Sequence, residues 1–171
     1  MAAFDPNAAE VFVSTPDNFL ASYKSVLLQV RRGPLTLPVL DRIESIVRSL
    51  RAREGGGAFI GVLEETADVA SGEVRGRQMA LFKELLRHPR SFAATVVPNE
   101  TAKGSLLRTL MRMIAFANPR LGIFGTSIEA GRWLEKRVKL PALELTALID
   151  WGRSRRPSIV PKPSSSTRMI R

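Results

Sequence analysis

Cysteine is absent from the sequence, and histidine occurs once, at position 88. Disulfides, thiolate metal centres and cysteine nucleophiles are thereby excluded. A histidine-rich metal site is excluded with them, and a Ser-His-Asp triad has only His88 to be built on. No apolar run approaches the ~18 residues that a membrane span requires. The opening stretch, MAAFDPNAAE, has neither a basic n-region nor an apolar h-region, so no secretory signal is expected and the expected location is cytoplasmic. The rest is ordinary for a globular protein: 44% apolar and 25% charged in 171 residues, enough for one domain with a core of its own.

Acidic residues are also scarce relative to basic ones, with 16 Asp and Glu against 26 Lys and Arg and a net charge of +10. Such a balance favours acidic partners: nucleic acid, an anionic surface or an acidic protein. Residues 141–171 carry six Lys/Arg and two Asp/Glu, a net of +4. The other 140 residues carry the remaining +6, so the tail is the more basic part. Its end, RSRRPSIVPKPSSSTRMIR, is proline- and serine-rich without periodicity, the composition of a flexible segment.

Hydrophobic period sets the expected elements. Residues 1–10 read as a loose lead-in. Glu10–Ser14 and Ser25–Val30 read as two strands with a turn signal at Asp17-Asn18. Val39, Leu40, Ile43, Ile46, Val47 and Leu50 recur at helical steps after Pro38, and Gly55-Gly56-Gly57 stops that helix. Ala58–Leu63 is a buried strand, and Ser71–His88 a second helix ended by Pro89. Its inward face is Val74, Gln78, Leu81, Phe82, Leu85 and Leu86. Phe92–Val97 is a further strand. The third helix runs over 102–117 with Leu106, Leu107, Leu110, Met113, Ile114 and Ala117 inward. Leu121–Gly125 is the last strand. Thr126-Ser127-Ile128-Glu129 then has the spacing of a capping box and opens a helix.

The expected order is β-β-α-β-α-β-α-β-α. It implies an α/β fold with a four- to five-stranded, mostly parallel mixed sheet and about four helices. Unalternated apolar strands fit a sheet covered on both faces. One domain is expected over 1–140, followed over 141–171 by a short helix near Leu145–Trp151 and then the flexible basic tail.

Two stretches carry a resemblance. Gly122-Ile-Phe-Gly-Thr-Ser-Ile-Glu-Ala-Gly-Arg-Trp-Leu134 resembles the closing strand and helix of STAS-like domains, the SpoIIAA-like family of anti-sigma-factor antagonists. Asp68-Val-Ala-Ser-Gly-Glu-Val-Arg-Gly76 is similar to the segment where antagonists read Asp-Ser-Ser-Gly-Leu. Ser71-Gly72 keeps the last Ser-Gly pair, while Asp68 stands one residue further upstream and Glu73 replaces an apolar residue. The resemblance spans roughly residues 10–138. It implies a STAS-like fold and a regulatory, non-enzymatic interaction module with Ser71 as a phosphosite.

Each candidate residue also has a plainer role. Ser71 sits where a serine caps a helix. Glu64, Glu65 and Asp68 follow a strand end, but adjacent strand residues point to opposite faces, and a solvated loop countered by Arg75 and Arg77 accounts for them. With Gly72 and Glu73 these residues form the expected docking edge, because ligands gather at the carboxyl ends of parallel strands. Lys103, Arg108 and Arg112 form an expected anion-binding face or a solvated one. His88 at a helix end pairs with the helix dipole. Ser158 follows Arg155-Arg156-Pro157, the pattern of a basophilic kinase substrate. No catalytic residue, metal or cofactor is expected. The expected partner is a protein. A homodimer, a carrier of an apolar or nucleotide ligand, and nucleic-acid or membrane-surface binding through residues 153–171 stay open as alternatives.

Overall fold

The computed structural model describes residues 4–155 apart from 69, 71, 99–101 and 116–117; the side chains of 102, 103, 110 and 114 also lie outside the described set. The elements in chain order are β1 (Glu10–Ser14), β2 (Asn18–Tyr23), β3 (Val26–Arg31), α1 (Leu37–Glu54), β4 (Gly57–Leu63), α2 (Gly72–Arg87), β5 (Ser91–Val96), α3 (Ala102–Ala115), β6 (Leu121–Phe124), α4 (Ser127–Glu135) and α5 (Ala142–Ser154). A single 3-10 turn, Pro6–Ala8, precedes them.

Local chemistry sets several of these ends. Proline stands in the first turn of α1, after Thr36, and Gly55 closes the helix in the left-handed region at φ 66°, where glycine carries no Cβ penalty. The capping box opens α4: the Thr126 hydroxyl accepts from the Glu129 N–H at 3.2 Å, and the Glu129 carboxylate accepts from the Thr126 N–H at 3.2 Å.

The six strands form one sheet in the order β1-β2-β3-β4-β5-β6. β1–β2 and β2–β3 pair antiparallel; β3 to β6 pair parallel. The α/β class and mixed sheet are as expected, with six strands rather than four or five and five helices rather than about four. The additional strand is β2. Its Asn18 resembled a turn residue, but every β2 residue is buried. Asn18 is satisfied at a distance: its amide donates to the Pro34 carbonyl at 3.2 Å and accepts from Gln29 at 3.3 Å.

Two cores flank the sheet, and the strands feed them alternately. Leu20, Leu27, Phe59 and Ala93 pack with α1 and α2 through Leu40, Ile43, Val47, Leu81 and Leu85. Phe19, Leu28, Val30, Ile60 and Val96 pack on the other face with Ala130 and Leu134 of α4 and Leu145, Leu148 and Ile149 of α5. The segment expected as a short helix is therefore a full element of this second core, and a boundary at residue 140 cuts through it. Gly152 shows how close α5 lies: a Cβ there would stand 2.5 Å from Leu28 Cδ2.

A polar cluster also ties α5 down. Lys24, in the β2–β3 turn at φ 51°, places Nζ 2.6 Å from the Glu144 carboxylate, and the Tyr23 hydroxyl donates to the same oxygen. The Glu144 side chain is only 2% exposed. Burial pushes its carboxyl up, but the hydrogen bonds from Lys24 and Tyr23 and the Lys24 charge prevail, so it ends below its ordinary value. Burial and the bond to Glu144 raise Tyr23. The bond to Glu144 raises Lys24, against the opposing effect of burial.

The third helix is placed as expected but turned about its axis. Leu106 and Met113 are 63% and 64% exposed, and Arg108 is buried instead. The helix lies against β6 at the outer side of the sheet, where carbonyls at the strand ends need donors.

Candidate functional site

Parallel pairing brings the carboxyl ends of β3 to β6 to one edge. On the α1 and α2 side of that edge the apolar pattern breaks. Register sets Asn18 beside Arg31, and Gln29 beside Gly61, which in turn lies beside Thr95. Asn18, Gln29, Arg31 and Thr95 are all buried, as is Arg108 from α3. Polar groups in such a place need partners, because desolvation without a hydrogen bond is costly.

Arg31 is incompletely satisfied. It is 6% exposed, and its Nη2 donates to the Asp68 carbonyl at 2.8 Å. Its Nε is buried with no hydrogen-bond partner, and among the described residues no carboxylate stands at ion-pair distance. Burial pushes the guanidinium below its ordinary value, and the Asp68 charge acts in the opposite direction. Asp68 lies four residues before Gly72, the start of α2, so Arg31 stands under the loop that delivers that helix. Two strands away, Arg108 Nη1 donates to the Val97 carbonyl at 3.1 Å, just beyond the end of β5.

The expected docking edge is in part assembled here. Glu64 follows β4 and accepts from Arg153 of α5 at 2.8 Å. Arg32 donates to the carbonyls of Gly152 and Arg153 at 3.3 and 2.8 Å, so the end of α5 is tied to this edge. Glu65, Asp68, Glu73 and Arg75 are exposed. Gly72 opens α2 at φ 55°. Arg77, expected to counter the acidic loop, turns instead to α1, where it pairs with Asp41 at 3.3 Å and with Glu44. Ser71 and Ser158 lie outside the described residues, as do residues 156–171 of the tail.

Among the described residues, the two arginines of the expected anion-binding face of α3 do not share one surface. Arg112 Nε donates to the Ile123 carbonyl at 3.2 Å, Arg108 points into the edge, and the Lys103 side chain is outside the described set. Capping carbonyls is a recurrent use of arginine in this chain: Arg51 serves Glu84 at 2.9 Å, Arg120 serves Leu86 at 2.8 Å and Arg137 serves Trp133 at 2.7 Å. Much of the basic excess therefore holds element ends in place. His88 lies at the opposite edge, where its Nδ1 accepts from the Arg90 N–H at 3.3 Å and its carbonyl accepts from Ser91 at the start of β5. Among the described residues no group of three or more His, Cys, Asp or Glu is placed to hold a metal ion, and no helix is long and apolar enough to cross a membrane.

Sequence reasoning passed over Asn18, Gln29, Arg31 and Thr95. The available signal was a polar residue at an inward position of an otherwise apolar strand, as in Val-Leu-Leu-Gln-Val-Arg over 26–31. Comparison with protein-family models, curated proteins and solved structures found no match to this chain.

Proposed function

We propose that the chain is a cytoplasmic, non-catalytic interaction module of STAS-like type that meets its partner at the carboxyl edge of its parallel strands. The observation that carries this reading is the concentration of buried polar side chains at that edge around Arg31. Strands packed on both faces have no packing need for such groups, and burying them costs free energy. Ligands of open parallel sheets gather at this position. His88, the single histidine, belongs to the opposite edge and is remote from this polar cluster. The run of strand–helix units and the capped helix α4 after short β6 support the STAS-like type.

Nucleic-acid binding is the less favoured alternative. Phe92 and Phe124 pack around Trp133, with ring centroids at 6.4 and 5.5 Å, so these strand aromatics are engaged rather than displayed for base stacking.

Charge reversal at the exposed edge tests the proposal. Affinity capture from native lysate with the full chain should retain a partner that the double variant Glu65→Lys, Glu73→Lys loses. A reversal at the opposite edge, Glu54→Lys, should leave capture intact. Equal capture by all three chains, or capture no better than bare resin, would end this reading. Steep salt dependence together with nuclease sensitivity would transfer it to nucleic acid.

A further inference from the structure

We infer that the carboxyl edge binds an oxyanion, the phosphate group of a small molecule, between Arg31, Arg108 and the first turn of α2. This deepens the proposed function and rests on the same edge. Three observations converge there. The first is Arg31, a guanidinium 6% exposed with Nε buried and unpartnered, held by a single described hydrogen bond to a backbone carbonyl. A buried cation without a counter-ion is destabilising, and an anion at hydrogen-bond distance relieves it. The second is Arg108, also buried, whose one described bond goes to the Val97 carbonyl.

The order β3-β4-β5 separates these two anchor points by two strand spacings, about 10 Å. The third observation is the element that follows β4. The loop after β4 leads into α2, a helix of 16 residues beginning at Gly72, and the first amides of a helix have no intrahelical acceptor. Arg31 at the end of β3 and Arg108 at the Val97 carbonyl beyond β5 thus flank the end of β4, the strand whose chain continues into α2.

Among the described residues no carboxylate stands at ion-pair distance from Arg31, and although the Asp68 charge favours its guanidinium, burial outweighs that effect. Glu64 is engaged by Arg153 at 2.8 Å. Glu65, Asp68 and Glu73 are exposed, where water and salt screen them far more than they screen the buried arginines. A phosphate suits the frame better than an isolated carboxylate. It offers oxygens in three directions, matching two arginines and a helix end, and Arg pairs with it in a bidentate manner.

The test is a titration of the full chain with sodium phosphate, read by thermal unfolding, with sodium chloride at matched ionic strength as reference. Sodium acetate and pyrophosphate form parallel arms. The wild-type melting temperature should rise saturably with phosphate and pyrophosphate, as binding to the folded state requires, and less with acetate. Arg31→Met should weaken phosphate binding about 10- to 100-fold, the loss of a charge-assisted hydrogen bond. In chloride alone the same variant should melt at or above wild type, because a buried, uncompensated charge has been removed. Arg31→Lys should restore part of the affinity.

No phosphate response beyond the chloride reference overturns the inference, as does an undiminished response in Arg31→Met. A response to acetate equal to that to phosphate overturns the choice of phosphate. If Arg31→Met does not fold, Arg108→Met and phosphorus NMR line broadening on the wild-type chain decide; no broadening is again a refutation. Partner capture that depends on Glu65 and Glu73 without any phosphate response refutes this inference alone. A phosphate response with capture indifferent to those residues refutes the docking proposal alone.

Discussion

Deleting residues 141–171 removes α5 together with the basic tail, and the two losses have different consequences. Leu145, Leu148 and Ile149 are 1%, 0% and 0% exposed. Each fully buried aliphatic side chain contributes about 1.5–3 kcal/mol, so the three together contribute roughly 5–9 kcal/mol. That range is an upper bound, because the unfolded chain already buries part of its apolar surface. Domains of this size are stable by only about 5–15 kcal/mol. Removing α5 also uncovers Phe19, Leu28 and Val30, which face it across the sheet. A chain ending at residue 140 should therefore show no cooperative transition in urea or on heating, with loss of near-ultraviolet circular dichroism. A chain ending at residue 155 keeps α5 and should unfold within a few degrees of the full chain. A cooperative melt of the 1–140 chain near the full-length temperature would refute the reasoning and return α5 to the status of an appendage.

Three further outcomes follow from the same contacts. Glu144 has a depressed folded value, so its contribution is present above the unfolded carboxylate value and is lost as pH falls through the folded one; Glu144→Gln should flatten the acid limb of a stability–pH profile measured in urea. Tyr23 and Lys24 are raised, so their contributions hold below the unfolded values and fade as pH rises through the folded ones. This alkaline limb should also flatten in Glu144→Gln. Gly131→Ala would set a Cβ 2.7 Å from the Ala142 carbonyl and 2.6 Å from Thr146 Oγ1; backbone cannot yield as a side chain does, and chemical denaturation should register a loss of about 1–3 kcal/mol. Thr126→Ala removes the acceptor for the Glu129 N–H and should cost about 0.5–2 kcal/mol by the same measurement, with Thr126→Ser close to neutral.

Short-range chemistry was legible in the sequence. The helix after Thr36 and its glycine stop, the capping box at Thr126 and the apolar strands 58–63 and 92–97 all depend on neighbours within a few positions. Periodicity alone predicts such elements because turns, caps and amphipathic faces are local. It also made α/β the fold class, since alternating strands and helices of these lengths have few ways to cover one another. The general rule about parallel strands pointed to residues 64–77, the stretch that follows β4 and enters α2.

Tertiary structure decided whatever depends on partners far along the chain. Asn18 reads as a turn residue until Pro34 and Gln29 satisfy its amide, and only then is 18–23 a central strand. The period of α3 fixes a helix but not its rotation; the carbonyls of Val97 and Ile123 draw Arg108 and Arg112 toward the sheet and leave Leu106 and Met113 outside. Arg77 counters α1 rather than the acidic loop because α1 and α2 lie side by side. Leu145, Leu148 and Ile149 form a modest stripe in sequence, yet they complete a core that begins with Phe19, Leu28 and Val30, more than a hundred residues earlier. Arg31 illustrates the division best. Its charge is plain in the sequence, but its burial, and the bond from its Nη2 to the Asp68 carbonyl, exist only once β3 is paired within the sheet and the loop after β4 lies against it.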